Sequence, residues 1–106
     1  KLVSGYGMVA RTLRLPERLA AADAVLTGEG RFDRQTALGK GPGVLAREAH
    51  ALGRRTVMFA GSVAPDVAAS PSLFEEVVEV STLAPPGASH FEALRHAGAW
   101  WAARRR

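Results

Sequence analysis

The chain contains no cysteine. A disulfide scaffold, cysteine-ligated zinc and a thiol nucleophile are therefore excluded. No apolar run approaches the roughly 18 residues of a membrane-spanning helix. No charged segment followed by an apolar one marks a secretory leader. The expected compartment is the cytoplasm, with no membrane partner. Disorder is excluded as well: 47% of residues are hydrophobic and 23% charged, enough apolar side chain to build a core. The 106 residues amount to one domain, and a chain of this size hides roughly two-thirds of its unfolded surface.

Lysine is scarce too. Of 14 basic residues only Lys1 and Lys40 are lysines, against 10 acids and a net charge of +4. A basic chain invites a nucleic-acid reading. The Arg and Ala bias fits a GC-rich genome equally well. Arg104, Arg105 and Arg106 alone supply most of the excess and read as a solvated helix end. No nucleic-acid partner is expected. The opening Lys1–Gly7 reads as the end of an earlier element, so a fragment is expected.

From residue 15 onward short apolar runs alternate with helical patterns. Pro16 to Ala22 reads as a short helix with proline near its start. Ala24–Thr27 is an apolar strand ending at Gly28. A polar, glycine-rich loop is expected over Gly28–Gly41. Pro42 to Leu52 is a helix, with Leu45, Ala49 and Leu52 on one face and Gly53 as its stop. Thr56–Ala60 is a second strand, stopped by Gly61 and Ser62. Val77–Ser81 is a third. Ser89 and Glu92 have the spacing of a capping box. They open a last helix whose apolar stripe is Phe91, Leu94, Gly98 and Trp101. Glu75, Glu76 and Glu79 read as a solvated face. Trp100 and Trp101 read as core or as an interdomain contact.

Alternating strands and helices predict an α/β fold: a parallel sheet flanked by helices, flavodoxin- or Rossmann-like. Ligands bind such sheets beyond the carboxyl ends of the strands. The expected rim therefore comprises Gly28-Glu29-Gly30, Gly61-Ser62 and Ser81-Thr82.

The densest polar segment is Thr27-Gly28-Glu29-Gly30-Arg31-Phe32-Asp33-Arg34-Gln35-Thr36. Gly28 and Gly30 permit a sharp turn and close approach to a ligand. Glu29 and Asp33 offer carboxylates that suit Mg²⁺ or removal of a proton from a hydroxyl. Arg31 presents a fork for phosphate or carboxylate. Gln35 and Thr36 can orient a substrate. The plainer reading is a solvated turn with Glu29 paired to Arg31 or Arg34. Lys40, Gly41 and the residues to Gly43 open a helix, and a helix start attracts anions. Ser62 can bind a ligand at the rim; no nucleophile elbow surrounds it.

Two phosphate motifs fail. A Walker loop would need glycine at position 34 and Ser or Thr at 41; the chain has Arg34 and Gly41. A dinucleotide fingerprint from Gly28 would need glycine at 33, where Asp33 stands. His50, His90 and His96 lack the spacing of a metal site.

The run Ala22-Asp23-Ala24-Val25-Leu26-Thr27-Gly28-Glu29-Gly30-Arg31-Phe32-Asp33, continued by Gln35-Thr36, Gly39-Lys40 and Pro42, resembles a signature segment of the bacterial type-1 glycerate kinases. Phe59-Ala60-Gly61-Ser62 and Ser89-x-x-Glu92-Ala93-Leu94 extend the resemblance. Val44 and the segment from Pro65 to Leu73 depart from the family pattern. The resemblance implies ATP-dependent phosphorylation of D-glycerate with Mg²⁺. It also implies that residues 1–106 are the C-terminal part of a larger two-domain kinase, returning to its flavodoxin-like domain. The partners implied are D-glycerate, ATP and the rest of the kinase chain, and a homodimer is compatible. Implied catalytic residues are Glu29, Arg31 and Asp33, with Asp33 or Glu29 on Mg²⁺. Gly28, Gly30, Gln35, Thr36, Lys40, Gly41 and Ser62 would bind substrate or phosphate. The fragment alone is expected to be inactive. A non-catalytic module binding an anion at the same rim is the alternative. A nucleic-acid-binding domain would show steeply salt-dependent binding and leaves the Gly-Glu-Gly-Arg-x-Asp segment unexplained.

Overall fold

A computed structural model describes residues 5–34, 41–65 and 74–104. The elements in chain order are α1 (Gly5–Thr12), α2 (Leu15–Ala21), β1 (Ala24–Phe32), α3 (Gly41–Ala51), β2 (Arg55–Val63), β3 (Glu76–Glu79), α4 (Val80–Leu83) and α5 (His90–Ala103). The strands form one parallel sheet in the order β1-β2-β3. The α/β architecture expected from the alternating pattern is the one observed.

The central strand explains the layering. Thr56 to Ala60 are all buried, which only a sheet covered on both faces allows. Successive side chains then alternate between faces. Met58 and Ala60 join Phe32, Ala46 of α3, Ala64 and Phe74 in one core. Val57 and Phe59 join Val78, Val80 and the α5 residues Ala93 and Ala97 in the other. Ring edges lock each layer: Phe32 meets Phe74 at 5.5 Å, and Phe59 meets Trp101 at 6.2 Å.

In both helices the buried face is rotated from the predicted stripe, which keeps Ala49 in α3 and Trp101 in α5 but loses its other large apolar residues. In α3 the buried residues are Gly43, Ala46 and Ala49, while Leu52 lies beyond the helix and is exposed. In α5 the buried face is Ala93 and Ala97, extended by half-buried Trp101; Phe91 is 74% exposed and Leu94 53%. The sheet side chains are bulky (Met58, Phe59, Val57, Val78), so small helical residues fit against them and larger ones are turned outward. The capping of α5 is as expected: Ser89 Oγ accepts from the Glu92 amide at 3.1 Å and donates to the Glu92 carboxylate at 2.9 Å.

Three boundaries are corrected. β1 continues through Phe32, so Gly28 to Arg31 is strand, not loop. β2 continues to Val63 through Gly61 and Ser62. Each supplies the other's ladder hydrogen bonds, and that pairing outweighs the weak strand preference of glycine. β3 ends at Glu79, and the chain turns into α4 where strand had been expected to Ser81. The N-terminal segment, expected to be the tail of an earlier element, contains helix α1.

The acidic group is not a solvated face. Glu76 accepts from Trp101 Nε1 at 2.9 Å and from Arg104 at 3.0 Å. Arg104 also lies 4.5 Å over the Trp100 ring, so it clasps β3 to the end of α5 and is not a free helix end. Only Glu75, facing Arg55 across 3.7 Å, is exposed as expected.

Candidate functional site

The carboxyl end of the sheet is uneven. Glu29, Ala60 and Glu79 form one row across the three strands. Beyond it β3 stops, while β1 and β2 run on as a two-stranded ribbon to Phe32 and Val63. The candidate residues are distributed along this step.

Arg31 lies on the ribbon, exposed, with Ser62 as its register partner. Neighbouring strands are about 4.8 Å apart, so the two side chains start side by side at one height of the rim. Glu29 stands three residues before Phe32, about 10 Å at strand rise. Asp33 follows the strand directly and is half-buried. Glu29 and Asp33 both take part in polar interactions. The extended backbone between them separates the two carboxylates along the strand.

The glycines act differently from the turn expected of them. Neither Gly28 nor Gly30 has positive φ. Both lie in paired strand, so no sharp turn forms there. At Gly30 nothing lies within 4 Å of the place a side chain would start, which leaves open space beside Arg31. Gly61 is the constrained one. A Cβ there would sit 2.6 Å from the carbonyl oxygen of Gly30. The two strands come together at this crossing in a way no other residue allows. The side-chain alternation also lapses here. Phe32 and Val63 each lie five residues beyond the Thr27–Met58 pair yet pack on Met58's face.

Gly41 opens α3, with Pro42 and Gly43 in its first turn. Free N–H groups and the helix dipole favour an anion there. The Tyr6 ring of α1 lies 4.0 Å from where a Gly41 side chain would start. Its hydroxyl oxygen is buried, and its approach to Glu48 falls short of hydrogen-bond geometry. Burial first, then the neighbouring Glu48 carboxylate, push this phenol well above its ordinary value. Gln35, Thr36 and Lys40 lie outside the described residues, as does most of the divergent Pro65–Leu73 segment.

Gly61 stands on the expected rim, but its need for glycine comes from a strand 31 positions earlier in the chain. Sequence reasoning missed one rim residue, Glu79, whose carboxylate accepts a hydrogen bond from the Val63 amide at 3.1 Å. No local pattern signals either contact. Among the described residues no group of three or more His, Asp or Glu side chains could hold a metal ion. Among them, too, no helix is long and apolar enough to cross a membrane.

Comparison with known proteins adds an independent line. An uncharacterised protein of Synechocystis is 29% identical over 96 residues, covering 91% of this chain and 25% of the relative. Glycerate kinase of Halalkalibacterium halodurans is 40% identical over 63 residues, 59% of this chain and 17% of the relative. Glycerate kinase of Haemophilus influenzae is 36% identical over 66 residues, 62% of this chain and 18% of the relative. The chain thus spans a quarter or less of the length of these curated relatives. The model of the Glycerate kinase family matches residues 1–104, nearly the whole chain. With that match, and with the Gly-Glu-Gly-Arg-x-Asp segment running to the carboxyl end of a parallel sheet, the chain belongs to the glycerate kinase family.

Proposed function

We propose that the full-length protein transfers the γ-phosphoryl group of ATP to a hydroxyl of D-glycerate, and that residues 1–106 form part of its flavodoxin-like domain. The family match over residues 1–104 carries this reading. The geometry of the rim supports it. Phosphoryl transfer needs positioning and charge neutralisation more than covalent chemistry. Arg31, exposed on the ribbon, offers a bidentate hold on the glycerate carboxylate or a phosphate. Ser62 beside it offers a hydroxyl. The first turn of α3 from Gly41, with Lys40 before it, offers amides and an ammonium for ATP phosphates. Gln35 and Thr36 would orient the substrate.

The donor set fits Mg²⁺. This ion is held by one or two carboxylates together with substrate phosphates, not by a full protein cage. A single carboxylate at the strand end meets that need, and Asp33 stands there. Mg²⁺, when bound there, would supply neutralisation of phosphate charge. Glu29, lower on the strand, would orient a glycerate hydroxyl. The cytoplasm, where ATP and a small hydroxy acid meet, is the compartment this reading requires.

The test is ADP release by the full-length protein with MgATP and D-glycerate. Glycerate-dependent turnover is expected. Asp33→Asn should lower turnover at least about a hundredfold, the scale of a positioned proton-transfer or charge-bearing group; a near-normal rate would remove Asp33 from the site. A folded protein that binds anions and releases no ADP would favour the non-catalytic module.

A further inference from the structure

β3 ends at the row of Glu29 while the candidate site runs on to Asp33, and this leaves β2 with an edge. Ala60 still pairs with Glu79. Beyond that row β2 has β1 on one side and, among the described residues, no strand on the other. The Ala64 amide donates to the Phe32 carbonyl on the β1 side at 2.9 Å. Successive amides in a strand point to opposite sides, so the Val63 amide faces the side that β3 has left. A partly buried amide without a partner is unfavourable. Glu79 supplies that partner from its side chain, with Oε2 accepting from Val63 N at 3.1 Å. The β3–α4 turn holds Glu79 in place, because Thr82 Oγ1 donates to the Glu79 carbonyl at 2.7 Å.

Glu79 therefore extends the sheet by one bond where its own strand has ended. Ser62 lies between the two fixed points, Ala60 paired to β3 and Val63 held by Glu79. Ser62 is also the register partner of Arg31. We propose that Glu79 is a positioning residue for the anion-binding rim: by anchoring the Val63 amide, it holds Ser62 at the height at which it and Arg31 grip the same substrate. This rests on the kinase reading above. Hydrogen bonds to a charged acceptor are the stronger kind, and a carboxylate reaching three residues up a neighbouring strand suits the gap that a backbone carbonyl would otherwise fill.

The experiment uses the full-length protein as wild type, Glu79→Ala and Glu79→Gln. Amide hydrogen exchange over residues 61–64 reads the anchor directly, whatever the activity. Steady-state kinetics with D-glycerate and MgATP read its consequence. In Glu79→Ala, exchange should quicken and KM for D-glycerate should rise about tenfold, with kcat held within about twofold, the scale of one lost positioning bond. Glu79→Gln keeps an acceptor oxygen and should restore both readouts. Unchanged exchange in Glu79→Ala overturns the anchor. Faster exchange with an unmoved KM, in a protein whose wild type turns over glycerate, overturns the positioning role alone. Absence of glycerate turnover in the wild type overturns the kinase reading and the role of Glu79 with it.

Discussion

The lower and upper parts of β2 are held by different means. Below, Thr56 to Ala60 are buried between two helical layers, and apolar contact on both faces fixes them. Above, Gly61 to Val63 have β1 on one edge and, among the described residues, the Glu79 carboxylate on the other. The lower part is over-determined: many contacts agree, and each is replaceable in kind. The upper part depends on a few particular atoms, a missing Cβ at Gly61 and an oxygen of Glu79. Stability resides in the first region and the candidate chemistry in the second. This division is expected where a rigid sheet presents a binding rim.

The contrast can be broken by substitutions in the full-length protein. The largest loss of stability should come from the lower part. Met58 is fully buried, and Met58→Ala should cost about 2–5 kcal/mol by denaturant unfolding while leaving KM for D-glycerate in place. If KM moved as far as stability, the two parts would be one unit and the comparison would fail. Gly61→Ala should cost less, about 1–3 kcal/mol for a forced displacement, yet should impair substrate binding more. The clash is with backbone, the Gly30 carbonyl, which cannot rotate aside. A Gly61→Ala protein with normal KM would show that the strand crossing does not position the rim.

The smallest effect is expected at Tyr6, beside the start of α3. Its folded-state value is raised, by burial and then by Glu48. A raised value means that the folded protein holds the proton more tightly than the unfolded chain. The contribution is therefore complete below the ordinary tyrosine value near about 10 and declines as pH rises beyond it. Wild type should lose stability relative to Tyr6→Phe progressively as pH rises beyond about 10. Parallel curves for the two proteins would remove Tyr6 from the alkaline response.

Much of this was legible from residues alone, and the failures have physical causes. The three strands, α2, α3 and α5 follow from apolar runs, proline placement and the Ser89–Glu92 cap. The errors cluster at glycines and at helix faces. Gly28, Gly30 and Gly61 read as loop because glycine has little strand preference of its own; the ladder between β1 and β2 overrides that preference. The stripe of Phe91 and Leu94 was the most hydrophobic face of α5, yet the sheet accepts Ala93 and Ala97 because Phe59 and Val78 already fill the space. Glu76 and Glu79 looked solvated because their partners, Trp101 and Val63, lie 25 and 16 residues away.

The sequence by itself determined the layered α/β class, the end of the sheet toward which the polar candidate segment runs, and the residue types it carries there. Those follow from periodicity and local chemistry, which act over a few residues. Tertiary structure decided how far each strand runs, which helix faces meet the sheet, and how the rim is held. Those depend on pairings between distant segments: Gly30 with Gly61, Val63 with Glu79, Glu76 with Trp101. Only folding brings such pairs within reach of short-range forces, so no window along the chain displays them.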